Sequence, residues 1–549
     1  MVSQTTSPPE VPGWGDPARR PGLSAHARSW LAREVGLGPA QLPVPLDRAR
    51  VGRGALPAAL RADLVAAVGA AHVLDDDAAR VRHAAGSSYL DLLRLRGGDA
   101  EQAPDAVVLP ASAAEVARVL ELCSAAGVAV VPYGGGTSVV GGVTPLRGVA
   151  PALVSLDLRR MDALLSVDPV SRTAVFQPGV RGPAAEALLA GHGLTLGHYP
   201  QSYERATLGG YAATRSAGQA STGYGRFDEM VVGLVLQTPA GELRLGRGAA
   251  SAAGPSLLGL ALGSEGAFGV VTELTVRVRP APEVVRHEGV FFRTWDEGLA
   301  ALRELEQSGA APDVARLSDP DETRVQLALA GVHGPKGRAG RALLAARGYR
   351  PGCLAVLGWE GPAATVRARR RTAVAVVRRH GGLVAGTGVG DAWAAGRFGA
   401  AYLRDDLLDA GVLVETLETS AHWSRLDEVR EAVRSALARA LAATPPTVMC
   451  HVSHLYPHGA SLYFTVLARQ AGADLPGQWQ RAKDAASEAI VAHGATITHH
   501  HAVGTDHRAH LADEVGPLGV EVLRAVKAVL DPAGVLNPGK LLPEPAGGR

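Results

Sequence analysis

Cysteine is nearly missing from this chain: Cys123, Cys353 and Cys450 are the 3 among 549 residues. An odd number at such wide spacing argues against a disulfide framework and against a zinc site, and it fits a reducing compartment. An excess of charge is missing too. Lys and Arg number 55, Asp and Glu 53, for a formal charge of +2. The basic residues are spread along the chain, so the footprint of a nucleic-acid binder is absent and no nucleic-acid partner is expected. No apolar run approaches the roughly 20 residues of a membrane span. No apolar segment follows the Arg19 and Arg20 pair, so no secretory or twin-arginine leader is expected. Repeats of fixed period are absent as well. What remains is an ordinary globular composition, 47% hydrophobic, in a chain long enough for two or three packed domains. The expectation is a soluble protein that at most touches a membrane surface.

The first residues, up to about Pro12, are polar and Pro-rich and read as a frayed terminus, followed by helices broken by Gly and Pro. From about Asp105 the pattern becomes strand, helix, strand, glycine loop: VVLP, SAAEVARVLELCSAAG, VAVVPYGGGTSVVGG. Ser112 and Glu115 predict an N-terminal capping box. Val116, Val119, Leu120 and Cys123 form one helix face, and Gly127 ends it. β-rich runs continue to ELTVRVRPAP near residue 280, where a second domain is expected to begin. The arginine run VRARRRTAVAVVRRHGG reads as a solvated helix face with a Gly cap, and GPKGRAGR around Lys336 as a mobile surface loop.

Three small-residue stretches follow one another within about 140 residues. The first is Pro132 followed by Gly134, Gly135, Gly136, Thr137, Ser138, Gly141 and Gly142, a loop after a buried strand whose N–H groups can converge on an anion such as a pyrophosphate. It matches neither G-x-G-x-x-G before a helix nor G-x-x-x-x-G-K-[ST], which disfavours Rossmann and P-loop assignments. The second carries Thr207, Gly209, Gly210, Thr214 and Ser216; the third runs Gly263, Glu265, Gly266, Gly269 and Val270 into an alternating strand. Small side chains let backbone approach a large planar ligand.

Farther along stand His499, His500 and His501. Three histidines suit a metal by composition, but neighbours on an extended segment point to alternating sides, so no metal is expected. Without other information they read as one core ring and two surface rings, and Tyr463, in an alternating strand, as core. Arg404 and Arg316 sit beside apolar residues and each should meet an anion, for which a neighbouring carboxylate such as Asp405 or Asp319 would serve.

PYGGGTSVVGG, then ATLGGYAATRSAG with YGRFDEMVVG, then LGSEGAFGVVTE resemble the FAD-binding domain of the vanillyl-alcohol-oxidase (PCMH-type) superfamily, and LDPAGVLNPGKLLP is similar to its closing motif. AAYLRDDLLDAGVLVETLETSAHW, CHVSHLYPHGASLYFTV and ATITHHHAVG narrow the likeness to alkyldihydroxyacetonephosphate synthases, from about residue 75 onward. The resemblance implies an α+β fold: an N-terminal helical region (1–99), an FAD-binding domain (100–280), a substrate (cap) domain with a mixed sheet and helices (281–505), and a C-terminal segment (506–549) packing back on the FAD domain. It implies FAD held non-covalently, since Thr137 stands near the place where covalent members carry a His. All the residues of the three small-residue stretches would line the cofactor. Tyr463 and the three histidines would be catalytic, and Arg404 and Arg316 would face the substrate's phosphate or carboxylate.

By the same resemblance the reaction exchanges the acyl group of acyl-dihydroxyacetone phosphate for a long-chain alcohol through a flavin N5 adduct, as in ether lipid synthesis. The same residues would serve an FAD-dependent 2-hydroxy acid dehydrogenase or oxidase, with Arg404 clamping the carboxylate and a His taking the hydroxyl proton. A flavin-binding interaction module without turnover is disfavoured by Tyr463 and the histidines. Ala502 stands where the family usually has Gly, Glu415 and Glu418 fall on a family Glu pair, and His451, His454 and His458 form a pattern of their own. A lipid-like small molecule is the expected partner, with a weak membrane-surface contact and a homodimer allowed. Related eukaryotic synthases are peroxisomal, whereas the Ala, Arg and Gly bias and the C-terminal GGR suggest a bacterial cytoplasm.

Overall fold

The structure, a computed structural model, describes residues 12–15, 17–329, 335–350 and 352–544. The helix expected after Ala111 runs Ala113–Ala126. Ser112 Oγ accepts the Glu115 N–H at 3.2 Å, the Glu115 carboxylate accepts the Ala111 N–H at 2.8 Å, and Gly127 closes it at φ 63°. Its buried face packs on a four-stranded sheet, Val73–Leu74, Ala106–Val108, Leu153–Asp157 and Ala129–Tyr133, whose last three strands are parallel. A five-stranded antiparallel sheet follows in the order Gly241–Leu245, Val231–Thr238, Val270–Arg277, Thr173–Phe176, Leu164–Asp168. Residues 1–99 were expected to be helical; they also supply the two-residue strands Arg50–Val51 and Val73–Leu74 and the start of Asp99–Ala100.

The third large sheet has seven strands, in the order Leu383–Gly386, Val284–Phe292, Cys353–Gly361, Val314–Ser318, Thr447–Tyr456, Gly459–Arg469, Val412–His422. Every ladder in it is antiparallel; the parallel pairing of this α+β molecule among the described residues falls in the four-stranded sheet, in the short ladder of Arg50–Val51 with Asp99–Ala100, and in the Val130–Leu536 bridge. Helices Trp295–Gln307, Ala363–Arg379, Leu426–Ala440 and Leu475–Ala492 cover one face, and Leu31, Val35, Tyr89 and Leu92 from the N-terminal region join the same core. The opposite face is left for the site.

Some surface features differ from their sequence reading. Pro335–Ala346 is a helix and not a loop, consistent with its run of Ala and Leu, while 330–334 lie outside the described residues. The arginine run is helical but only partly solvated: Arg369 reaches Asp313, Arg370 reaches Glu288, and Arg379 binds Glu304. On the C-terminal helix Leu511–Leu530, the single apolar face that Val522, Leu523, Val526, Val529 and Leu530 predict for docking splits. Leu523, Val526 and Leu530 pack inward, whereas Val522 and Val529, seven residues apart, face outward. No helix among the described residues is long and apolar enough to cross a membrane.

The chain end returns to the first glycine loop. Leu536 bridges Val130 beside the strand leading into that loop. The buried Asn537 amide donates to the Gly142 carbonyl at 3.0 Å and the Glu265 carbonyl at 2.6 Å, so the closing motif joins two of the three small-residue stretches.

Candidate active site

A cavity of about 890 Å³ runs between the glycine loops and the open face of the seven-stranded sheet. Its floor contains Pro132, Gly134, Gly135, Gly136, Thr137, Ser138, Gly142, Thr207, Gly209, Gly210, Thr214, Ser216, Glu265, Gly266, Gly269 and Val270. These stretches pack so closely that side chains would not fit. A Cβ on Gly135 would run into the Arg205 carbonyl, and one on Gly266 would lie 2.8 Å from Pro132 Cγ. The small residues thus serve two ends, apposition of backbone segments and a smooth cradle for a long planar ligand. Two expected members do not line the cavity. Gly141 stands behind it against Thr505, and Gly263 (φ 80°) packs on the Arg215 side chain.

Glu265 plays a different part from a simple lining residue. Its carboxylate accepts the N–H groups of Val503 (2.9 Å) and Gly504 (2.8 and 3.1 Å), tying the segment after the histidines to the floor. Burial raises its pKa to about 7 against the pull of those two N–H groups.

The roof comes from strand alternation. Tyr463, Thr465 and Leu467 point into the cavity from one strand, Val414 and Thr416 from its neighbour on one side, Met449 and His451 from the other. Register places Tyr463 opposite both Glu418 and His451, with the Tyr463 and His451 rings stacked at 4.9 Å. A register shift between Val452 and Leu455 lets both Ser453 and His454 reach the cavity, which a regular strand would forbid. His458 lies exposed at the hairpin turn.

The histidine segment is not extended, which corrects the geometric expectation. Adjacent His499 and His500 converge, Nδ1 to Nδ1 2.9 Å, and with His454 they place one nitrogen each within 4.8 Å of the others. Two of the three rings share protons: His499 Nε2 meets the Tyr456 hydroxyl at 2.6 Å, so Tyr456, His499 and His500 form a chain, while the buried His454 Nδ1 has no partner among the described residues. His500 and His501 line the cavity; His499 sits one layer behind. Burial pushes all three pKa values down, that of His501 to about 3, so the rings are neutral bases at neutral pH. Tyr463 is pushed up to about 12 by burial and by Glu418 and Glu415, so its hydroxyl keeps its proton.

His198, His501 and His507 are each held at about 3 by burial, below the ordinary 6.5. A neutral native ring facing a protonated unfolded one costs stability as acid is added. The sign is therefore fixed: stability is full above about pH 6.5 and falls progressively toward pH 3. Urea unfolding followed between pH 7.5 and 4.5 checks this; a midpoint that stays level over that range would show the rings protonating in the native fold.

The two arginines behave differently. Arg316 Nη2 donates to Glu322 at 2.7 Å, with His451 Nδ1 3.0 Å from the same oxygen, so its carboxylate is Glu322 and neither Asp319 nor Asp405. Burial would raise Glu322, but His451 and Arg316 hold it at about 2. Asp319 instead serves Arg434. Arg404 donates to the Ser87 carbonyl at 2.9 Å, its Nε is buried without a partner, and no carboxylate pairs with it among the described residues. A cation so placed asks for an anionic ligand. Leu23, Ala27, Val325, Leu329, Leu403 and Leu407 give the same cavity an apolar lining.

Tyr456 was not singled out by the sequence, and Glu418 entered only as one of a family Glu pair, without a role. Each is a single residue in a strand and carries no local signal.

Comparison with known proteins bears on this arrangement. Residues 104–246 match the "FAD binding domain" family and residues 281–541 the "FAD linked oxidases, C-terminal domain" family. An alkyldihydroxyacetonephosphate synthase from Dictyostelium discoideum is 33% identical, over 85% of this chain and 78% of that protein. One from Trypanosoma brucei brucei is 34% identical, over 86% and 78%. A solved alkyldihydroxyacetonephosphate synthase structure superposes with a TM-score of 0.79 at 29% identity, covering 93% of this chain and 92% of that one. These synthases come from eukaryotes where an organism is given, and lend no support to a bacterial cytoplasm.

Proposed function

The chain belongs to the alkyldihydroxyacetonephosphate synthase family of FAD-dependent enzymes, and on that premise we propose that it exchanges the acyl group of acyl-dihydroxyacetone phosphate for a long-chain alcohol. The observation that carries this reading is the joining, in one cavity, of an Arg404 that meets no carboxylate among the described residues, a neutral His and Tyr pair, and six apolar side chains. A 2-hydroxy acid has an anion for the arginine but nothing to cover those apolar side chains.

FAD, the cofactor, would lie along the glycine floor without a covalent bond and supply the redox-active ring at which the substrate carbon is activated. Arg404 would take the phosphate, with the alkyl chain running past Leu403 and Leu407. With His500 Nδ1 engaged by His499, its Nε2 is the nitrogen left to take and return the substrate proton. The Tyr463 hydroxyl, which keeps its proton, donates a hydrogen bond to the departing carboxylate, and the proton shed by the incoming alcohol leaves with the released fatty acid. One ester C–O bond breaks and one ether C–O bond forms, with no net oxidation. Because both substrates partition into lipid, the reading includes a weak contact with a membrane surface.

The test is to incubate the yellow protein anaerobically with palmitoyl-dihydroxyacetone phosphate and hexadecanol and to seek the hexadecyl ether by mass spectrometry. Ether formation with palmitate release is expected. No ether from fully FAD-loaded protein, together with bleaching by D-lactate, would move the assignment to a 2-hydroxy acid dehydrogenase. Replacing Arg404 by Met should cost about 2 kcal/mol of phosphate binding, on the order of 30-fold in KM, without changing the preference for alcohol chain length. An unchanged KM would take the anion away from Arg404.

A further inference from the structure

Glu418 lies in strand Val412–His422, opposite Tyr463, and is 2% exposed. A buried carboxylate needs its oxygens satisfied, and this one is satisfied almost wholly by one short segment. Oε1 accepts the Thr498 hydroxyl at 2.5 Å, the His501 N–H at 2.8 Å and the His500 N–H at 3.2 Å. Oε2 accepts the His499 N–H at 2.5 Å and the His500 N–H at 3.2 Å. Three consecutive backbone N–H groups can converge on one anion only if the backbone curls round it, and this curl is what turns His499 and His500 toward each other. From the far side Glu265 holds Val503 and Gly504, and between the two carboxylates Ala502 is held at φ 74°, a conformation costly for a residue with a Cβ.

We infer that Glu418 is the positioning residue of the histidine relay: its carboxylate sets the bend of 498–501 that aligns His499, His500 and His501, and takes no proton from substrate itself. The inference deepens the proposed exchange reaction and rests on it. Its lone pairs are used by four donors, which leaves it no capacity to act as base. Its charge stands 3.5 Å from His500 Nδ1 and 3.8 Å from His501 Nδ1, where it favours a ring that is momentarily protonated. Arg226, which donates to the His499 carbonyl at 3.2 Å, braces the segment from the other edge.

The test compares Glu418→Gln and Glu418→Asp with the wild type as FAD-loaded holoenzymes. Gln keeps the shape but turns an NH2 group toward backbone donors; Asp keeps the charge on a shorter stem. For Gln, kcat for acyl exchange should fall on the order of 100-fold with KM within about 3-fold, and Asp should recover roughly a tenth to a third of the wild-type rate. Amide hydrogen exchange of a peptide covering 498–504 should quicken about tenfold or more in Gln, with the glycine loops unchanged. A loaded Gln variant with wild-type kcat, or with unchanged exchange at 498–504, overturns the inference. If the wild type makes no ether, the exchange reaction fails as a reading, and amide exchange alone decides Glu418. If Gln does not hold FAD, Asp decides: a lowered kcat at constant KM supports the role, and wild-type kcat and amide exchange reject it.

Discussion

A Tyr463→Phe enzyme should keep its FAD and its fold and lose on the order of 100-fold to 10,000-fold in kcat. Phe fills the same space, so the ring can stay stacked 4.9 Å from His451 and 6.0 Å from His500; only the hydroxyl is lost. That hydroxyl is where the structure concentrates its effort. Burial and the nearby Glu418 and Glu415 push its pKa up to about 12, while Thr416 and Arg404 pull the other way. A phenol so placed stays protonated at neutral pH, and its O–H can donate a hydrogen bond to the charge growing on a leaving carboxylate. The measurement is single-turnover ether formation beside the flavin absorbance spectrum. Full activity from the loaded Phe variant would remove Tyr463 from the proton path and leave the histidines alone in it.

Gly135→Ala should yield a protein that purifies colourless, its FAD affinity lowered by at least about 100-fold. The added methyl would lie 2.8 Å from the Arg205 carbonyl carbon and 2.9 Å from Ala206 Cα, besides striking the Arg205 oxygen. These are backbone atoms of the second small-residue stretch, so relief must separate two of the three walls of the cradle; overpacking of this kind costs about 1–3 kcal/mol even where side chains can adjust. Gly388→Ala is the control. Gly388 sits in helix Thr387–Gly396 with nothing within 4 Å of a Cβ, and Ala there should leave FAD bound and raise stability by up to about 1 kcal/mol. Visible absorbance after purification reads both variants. A yellow, stoichiometrically loaded Gly135→Ala protein would show that the loops tolerate separation and that the cradle lies elsewhere.

Much of this site could be read along the chain. The order of the glycine stretches could, because each answers a need met within a few residues: a tight turn or a close approach. The helix Ala113–Ala126 could for the same reason, since cap, face and stop are local. The histidines and Tyr463 were visible only through family likeness; as single residues in a strand or a bend they carry no period or spacing that separates a proton relay from a core.

What the sequence by itself determined is the glycine-rich floor of the cavity and the kinds of residue that face it: glycine where backbone meets backbone, and arginine, histidine and tyrosine across from it. Only the tertiary structure decided who meets whom. Arg316 takes Glu322, six residues on across a turn from strand to helix, while Arg404 meets the Ser87 carbonyl and no carboxylate among the described residues. A register shift brings His454 inward, His499 is turned behind His500, and Glu418 gathers a segment 80 residues away from it in sequence. The reason is physical: turns, caps and periodicity are fixed by forces that act within one or two turns of backbone, whereas these pairings depend on strand register and on how sheets stack, which no short stretch of residues encodes.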